Sequence, residues 1–275
     1  MVAAMAGFAV EDMFIKAATR TLPVGEVLMI FGSGGMILFA LLALRRGERV
    51  LHPAILSRTI LARGGFEVAG RLFHTLAITF TTLSATSAIL QSTPLIVVAG
   101  AAVLFGERVG WRRWAAVGVG LAGALVILRP GVAGFTALSL LAVIGTIGFA
   151  GRDLATRAAP PALSNLQLGV WGFFAMVPTG AVLLAATGGA AVPAPHEAAP
   201  LIAAIAVGVG AYWMLTRAMR TGDVSVVTPF RYTRLVFALI LGAAVFSERP
   251  DAATLLGSAM IVASGLYTLT RARRA

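Results

Sequence analysis

Nine charged side chains interrupt stretches of this 275-residue sequence that are otherwise apolar: Glu11, Asp12, Lys16, Glu67, Arg71, Arg152, Asp153, Arg231 and Arg234. Five are cations and four are anions, so their formal charges sum to +1. A charge at the centre of a bilayer costs roughly 2.5–3.5 kcal/mol on insertion scales, so such groups must pair with one another or line a wet cavity. The chemistry they offer is recognition of a charged small molecule or movement of protons.

Glu67, Arg71 and His74 stand at i, i+4 and i+7, on one face of a helix. They read either as a substrate or proton site, or as an ion pair tying helices together with a hydrogen-bonded histidine. His74 lies deeper than Glu67, and histidine exchanges protons near neutrality. Glu11 and Asp12 are adjacent and therefore point about 100° apart on a helix. The functional reading is proton coupling; the alternative pairs one with Lys16 and the other with a distant arginine. Arg231 and Arg234 flank Tyr232 just beyond Pro229, whose missing N–H opens a helix and frees carbonyls. Two guanidiniums there suit a carboxylate or phosphate, or else they neutralise Glu11, Asp12 or Asp153. Gln91, Ser92 and Thr93 make a similar polar patch before Pro94. Trp171, Tyr212 and Trp213 are candidates for stacking on a substrate, against the commoner role of aromatic packing.

The elements that carry these residues follow from composition. Hydrophobic residues make up 59% of the chain, charged residues 12%, and mean hydropathy is +0.91. That is too much apolar surface for a water-soluble core. Apolar runs near 20 residues point to spanning helices, in which the backbone satisfies its own hydrogen bonds. Breaks at Pro, Gly and charge clusters predict ten spans, at 2–19, 23–44, 61–80, 84–105, 111–128, 135–156, 163–186, 199–219, 223–246 and 251–270. The acidic start (Glu11, Asp12) and missing basic n-region distinguish the first from a signal peptide. If the N-terminus is cytoplasmic, inside loops and helix ends hold 14 arginines and outside ones 3. The positive-inside rule then places both termini in the cytoplasm. The same count accounts for the net charge of +11 without nucleic acid as a partner. With no cysteine, there is no disulfide framework, thiolate metal site or cysteine nucleophile. No metal site and no cofactor is expected.

An internal repeat organises the chain. Gly7–Asp12 (GFAVED) reappears as Gly148–Asp153 (GFAGRD) at an offset of 141 residues, which also relates FGER, ending at Arg108, to FSER, ending at Arg249. Asp12 matches Asp153, and Gln91 matches Tyr232. Residues 1–130 and 131–275 are thus read as two five-helix halves. An odd number of spans per half makes the second cross the membrane in the opposite sense, an inverted repeat of the kind that supports alternating access. Gly118, Gly120, Ala122 and Gly123 form a small-residue face suited to helix packing or dimerisation. Glu107–Arg108 and Glu248–Arg249 read as helix-end caps, and Trp111 and Trp114 beside Arg112 and Arg113 as an interfacial anchor.

Ten spans in two halves, the acid–arginine pairs after the fourth and ninth, and the run Tyr212–Pro229 (YWMLTRAMRTGDVSVVTP) resemble the drug/metabolite transporter superfamily, and within it the bacterial EamA-type members. The resemblance implies that the first, third, fourth, sixth, eighth and ninth helices surround a central cavity. It puts the fifth and tenth at the periphery, where homodimer contacts form. Substrates of that family include amino acids, nucleotide sugars, vitamins, purines and S-adenosylmethionine-like metabolites. Pro94 sits at the fourth-helix proline of the family; its repeat mate is Leu235, while the ninth helix carries Pro229 six residues earlier.

The expected protein is therefore an all-α integral membrane protein of the bacterial inner membrane, a secondary transporter and not an enzyme. It exports a small polar or amphipathic metabolite bearing a carboxylate, such as an amino acid. Its partners are that substrate, the lipid bilayer and either protons or a counter-substrate. The substrate-binding or coupling set comprises Glu11, Asp12, Arg71, His74, Gln91, Arg152, Asp153, Trp171, Tyr212, Arg231, Tyr232 and Arg234. Uptake of a vitamin, nucleoside or S-adenosylmethionine-like compound is the alternative within transport. An intramembrane enzyme and a non-transporting adaptor are the alternatives outside it, and no HExxH, GxSxG or Walker A motif favours an enzyme or ATP drive.

Overall fold

The computed structural model describes residues 1–19, 21–80, 89–128, 138–190, 193–221, 223–246 and 252–272, and these are helical with no strand. In chain order the helices are α1 (Val2–Ala18), α2 (Val24–Arg45), α3 (Arg58–Phe80), α4 (Thr93–Phe105), α5 (Trp111–Leu128), α6 (Ser139–Arg157), α7 (Asn165–Phe174), α8 (Met176–Thr187), α9 (Pro195–Arg220), α10 (Val224–Val227), α11 (Thr233–Phe246) and α12 (Ala252–Ala272). Short 3-10 turns cover Pro53–Leu56 and Thr228–Tyr232. Among the described residues, three helical stretches are long and apolar enough to cross a membrane: Val24–Arg45, Asn165–Thr187 and Glu197–Arg220. The helices carrying Glu11, Glu67 and Arg152 fall outside that set: α1 has only 17 residues, and α3 and α6 are interrupted by charged residues.

Two interruptions have a proline behind them. The seventh predicted span divides at Ala175 into α7 and α8, where Pro178 cannot donate to the carbonyl four residues back. The ninth predicted span is split into α10, the 3-10 turn with Pro229, and α11. Glu107 supplies the missing cap for α10: its carboxylate accepts the N–H groups of Val224 at 3.0 Å and Ser225 at 3.1 Å. Arg113 Nη1 donates to Ser225 Oγ at 2.8 Å. Glu248 and Arg249 lie outside the described residues.

Helix α1 packs on α9 and α11, and α6 packs on α3 and α4. Helix α5 packs on α12, and α2 lies against α7, α8 and α9. Phe31, Phe39 and Tyr212 surround Phe173 with ring centroids 5.1, 5.6 and 5.3 Å away. The small-residue face of α5 is used within the chain: a Cβ on Gly120 would stand 2.4 Å from the Tyr232 ring, and one on Gly123 2.7 Å from the Gly257 carbonyl.

The closest backbone approach relevant to the site joins α3 and α6. A Cβ at Gly148 would lie 2.4 Å from Gly70 N and 3.0 Å from the Phe66 carbonyl, and one at Gly145 2.9 Å from His74 N. The obstruction is backbone, so no side chain can rotate away. Gly148→Ala is expected to force α3 and α6 apart at a cost of about 1–3 kcal/mol, measured as a lower melting temperature in detergent. An unchanged melting temperature would show the helices free to separate there.

Candidate functional site

The α3–α6 seam holds a continuous buried polar chain. Arg63 of α3 donates from Nε to Thr156 Oγ1 at 2.9 Å and from Nη2 to the Tyr212 hydroxyl at 2.7 Å. Tyr212, on α9, passes its own proton to Glu67 Oε2 at 2.7 Å. Glu67 Oε1 accepts from Arg152 Nη1 at 3.3 Å, and Arg152 donates from Nε to Asp153 Oδ1 at 2.9 Å. The other oxygen of Asp153 receives Arg231 Nη1. Arg63, Glu67, Asp153 and Tyr212 are each no more than 1% exposed. Four elements are thereby joined: α3, α6, α9 and, through Arg231, the 3-10 turn preceding α11.

Above this chain opens a cleft enclosing about 650 Å³, open solvent at its mouth included. Met5, Phe8 and Asp12 of α1, Arg71 and His74 of α3, Phe149 and Arg152 of α6, and Arg231 and Arg234 line it, with Leu90, Gln91, Thr93 and Pro94 on the remaining side. Four guanidiniums face one carboxylate among these residues. Asp12 and Arg234 form an ion pair at the wall, with side chains 51% and 28% exposed. Arg71 stands over the rings of Phe31 and Phe149, its guanidinium carbon 5.9 Å from each centroid. Its ion pair with the buried Glu11 is long, at 3.7 Å. Glu11 Oε2, Arg71 Nε and His74 Nδ1 are buried with no hydrogen-bond partner among the described residues.

The residues singled out from sequence divide into three groups. Asp12, Arg71, His74, Gln91, Arg152, Arg231 and Arg234 come together around the cleft. Glu11 and Asp153 stand behind it, holding Arg71 and Arg231. The third group lies elsewhere. Tyr212 is 1% exposed and its hydroxyl is committed to Arg63 and Glu67, so stacking on a substrate is not its position here. Tyr232 is fully buried against Gly120, its hydroxyl directed at the Val117 carbonyl at 3.3 Å. Trp171 packs edge-on against Phe174 at 5.3 Å, beside the Ile55–Leu163 cluster and away from the cleft lining.

The Glu67–Arg71 ion pair, one of the two readings from sequence, does not form among the described residues; Glu67 reaches Arg152 and Arg71 reaches Glu11. Arg63 was counted among the inside loop and helix-end arginines, and it is instead 1% exposed within the network. No local pattern betrays it, because its partners Thr156 and Tyr212 are 93 and 149 residues away in sequence. The side chain of Lys16 lies outside the described residues.

Comparison with known proteins bears on this arrangement. The profile of the EamA-like transporter family matches residues 1–129 and again 136–270. A riboflavin transporter of Rhizobium johnstonii is 29% identical over 68% of this chain, and the match spans 62% of that protein's length, less than two thirds. An S-adenosylmethionine uptake transporter of Rickettsia felis is 26% identical over 78% of this chain and 72% of its own. A pseudopaline exporter of Pseudomonas aeruginosa is 26% identical over 93% of this chain and 89% of its own. One crystal structure superposes with a TM-score of 0.81 over 99% of this chain and 98% of that one, at 21% identity, a likeness of fold alone.

Proposed function

We propose, because the chain belongs to the EamA-like transporter family, that it is a secondary carrier moving a small carboxylate-bearing metabolite through the cleft by alternating access. Family and relatives are membrane transporters, not enzymes. The observation that carries the substrate class is the excess of guanidinium over carboxylate around the cleft. Arginine binds carboxylate by a planar two-pronged contact, and Phe8 and Phe149 add an apolar wall for the rest of the molecule.

The ten spans form two inverted halves, residues 1–130 and 131–275, around that cleft. Two findings support this reading. The family profile matches once in each half, and exchanging the halves maps one helix contact onto another: α1 on α9 onto α6 on α3, and α1 on α11 onto α6 on α4. Both termini face the cytoplasm across the inner membrane, on the arginine count. The direction is export, the direction in the name of the relative matched over 93% of the chain.

Purified protein in liposomes is expected to move a radiolabelled carboxylate metabolite, chosen by a thermal-shift screen of amino acids, nucleosides, vitamins and organic acids. Asp12→Asn, which unpairs Arg234 at the cleft wall, is expected to reduce that flux several-fold while the protein stays folded. Absence of flux for every screened compound, with hydrolysis of any of them, would overturn the carrier reading.

A further inference from the structure

A second concavity lies between α2, α7 and α9 and shares no lining residue with the charged cleft. Its walls are two parallel stripes that each run from apolar to basic. On α2 the stripe is Phe39, Leu42 and Arg46; on α9 it is Val209, Gly210 and Trp213, with Leu166 of α7 closing the floor. At 1.5 Å per residue the α2 stripe is roughly 10 Å long. Arg217 continues the α9 stripe one turn beyond Trp213, its guanidinium carbon 5.3 Å from the indole centroid. Arg46 and Arg217 are both exposed, and neither enters an ion pair among the described residues. Their neighbour Arg220 differs: it is spent on the Leu163 carbonyl at 2.7 Å and Asn165 Oδ1 at 2.9 Å.

We infer that this groove binds an anionic phospholipid, with one acyl chain between the stripes and the phosphate between Arg46 and Arg217. The slot is apolar except at the end where the two free guanidiniums stand. A water-soluble anion would find no partner along its length. A zwitterionic lipid would bring its own cation against the arginines. Leu42, Gly210 and Trp213 are partly exposed and Arg46 is exposed, so the groove opens at the surface of the helix bundle. Basic pockets between helices at a membrane surface bind acidic headgroups by this charge match. The indole of Trp213 is suited to the headgroup level. A Cβ at Gly210 would meet nothing within 4 Å, which leaves the slot open where a side chain would fill it.

The test is lipid retention by native mass spectrometry, with melting temperature alongside, after delipidation and re-addition of phosphatidylglycerol or phosphatidylcholine. Phosphatidylglycerol is expected to be retained and to raise the melting temperature, and phosphatidylcholine is not. The double variant Arg46→Gln/Arg217→Gln is expected to weaken phosphatidylglycerol binding about thirtyfold. Gly210→Leu keeps both charges, fills the slot, and is expected to abolish retention; it also serves if the double variant fails to fold. Equal retention of the two lipids, undiminished retention in Gly210→Leu, or the same thermal shift from inorganic phosphate would each overturn the proposal. So would a dimer that forms without lipid and is lost in Gly210→Leu, which would give the groove to a second copy of the chain.

Discussion

Asp153→Ala is expected to lower the stability of the folded protein by about 3–5 kcal/mol, the cost of removing one partner from a buried ion pair. Asp153 is 1% exposed and serves two cations. One oxygen accepts from Arg152 Nε at 2.9 Å, the other from Arg231. Without it, among the described residues, Arg152 retains one carboxylate contact, to Glu67 at 3.3 Å, and Arg231 retains none. Arg152 is only 5% exposed, so water at the cleft compensates little of the loss. The melting temperature in detergent should fall by roughly 10 °C, with a matching loss of yield from membranes. The double variant Asp153→Ala/Arg231→Met should recover part of the loss, because it removes one of the two stranded charges; a double-mutant cycle measures that coupling. Equal stability of Asp153→Ala and the native protein would show that the network is hydrated and not a buried structural element.

Arg234→Gln is expected to do the reverse, leaving folding intact and damaging transport. Its partner Asp12 has a side chain 51% exposed, so the carboxylate stays hydrated when the arginine is gone. A pair this open contributes at most about 1 kcal/mol to stability. The cleft, however, loses one of its four guanidiniums. A charged hydrogen bond to a bound carboxylate is worth roughly 1.5–3 kcal/mol, so KM for the transported anion should rise about 10- to 100-fold. Melting temperature should change little, and Arg234→Lys should restore part of the affinity by restoring charge without the planar fork. Unchanged KM together with unchanged stability would remove Arg234 from the binding surface. Together the two variants would separate a buried chain that holds the helices from arginines that line the cleft.

Arg231 and Arg234 carry the same local signals in the sequence, and the structure distinguishes them on grounds that are not local. Both follow Pro229, and both now line the cleft. Arg231 is tied to a carboxylate that is 1% exposed, Arg234 to one that is half exposed. The difference lies entirely in the burial of residues on α1 and α6, which no spacing within 229–234 encodes.

Much of the protein was nonetheless legible in one dimension. Hydropathy and composition determined that the chain lies in a bilayer as helices, because backbone polar groups in lipid have no other partners. Pro229 marked where the ninth span breaks, since a missing N–H acts on its own turn, whereas the break in the seventh span at Ala175 emerged only in the structure. Intramembrane charges pointed to the working helices, because a buried charge without a role is too costly to retain. Tertiary structure alone decided which charges pair, and it chose partners on other helices over the i+4 neighbour that links Glu67 to Arg71. It drew Arg63 into the network from a helix end, and it withdrew Tyr212, Tyr232 and Trp171 from the cleft wall. The physical reason is one of range. Helix formation and hydrophobic period act over a few residues, whereas a side chain's exposure and its hydrogen-bond partner are set by glycine-lined crossings such as Gly70–Gly148, between segments that are distant in sequence.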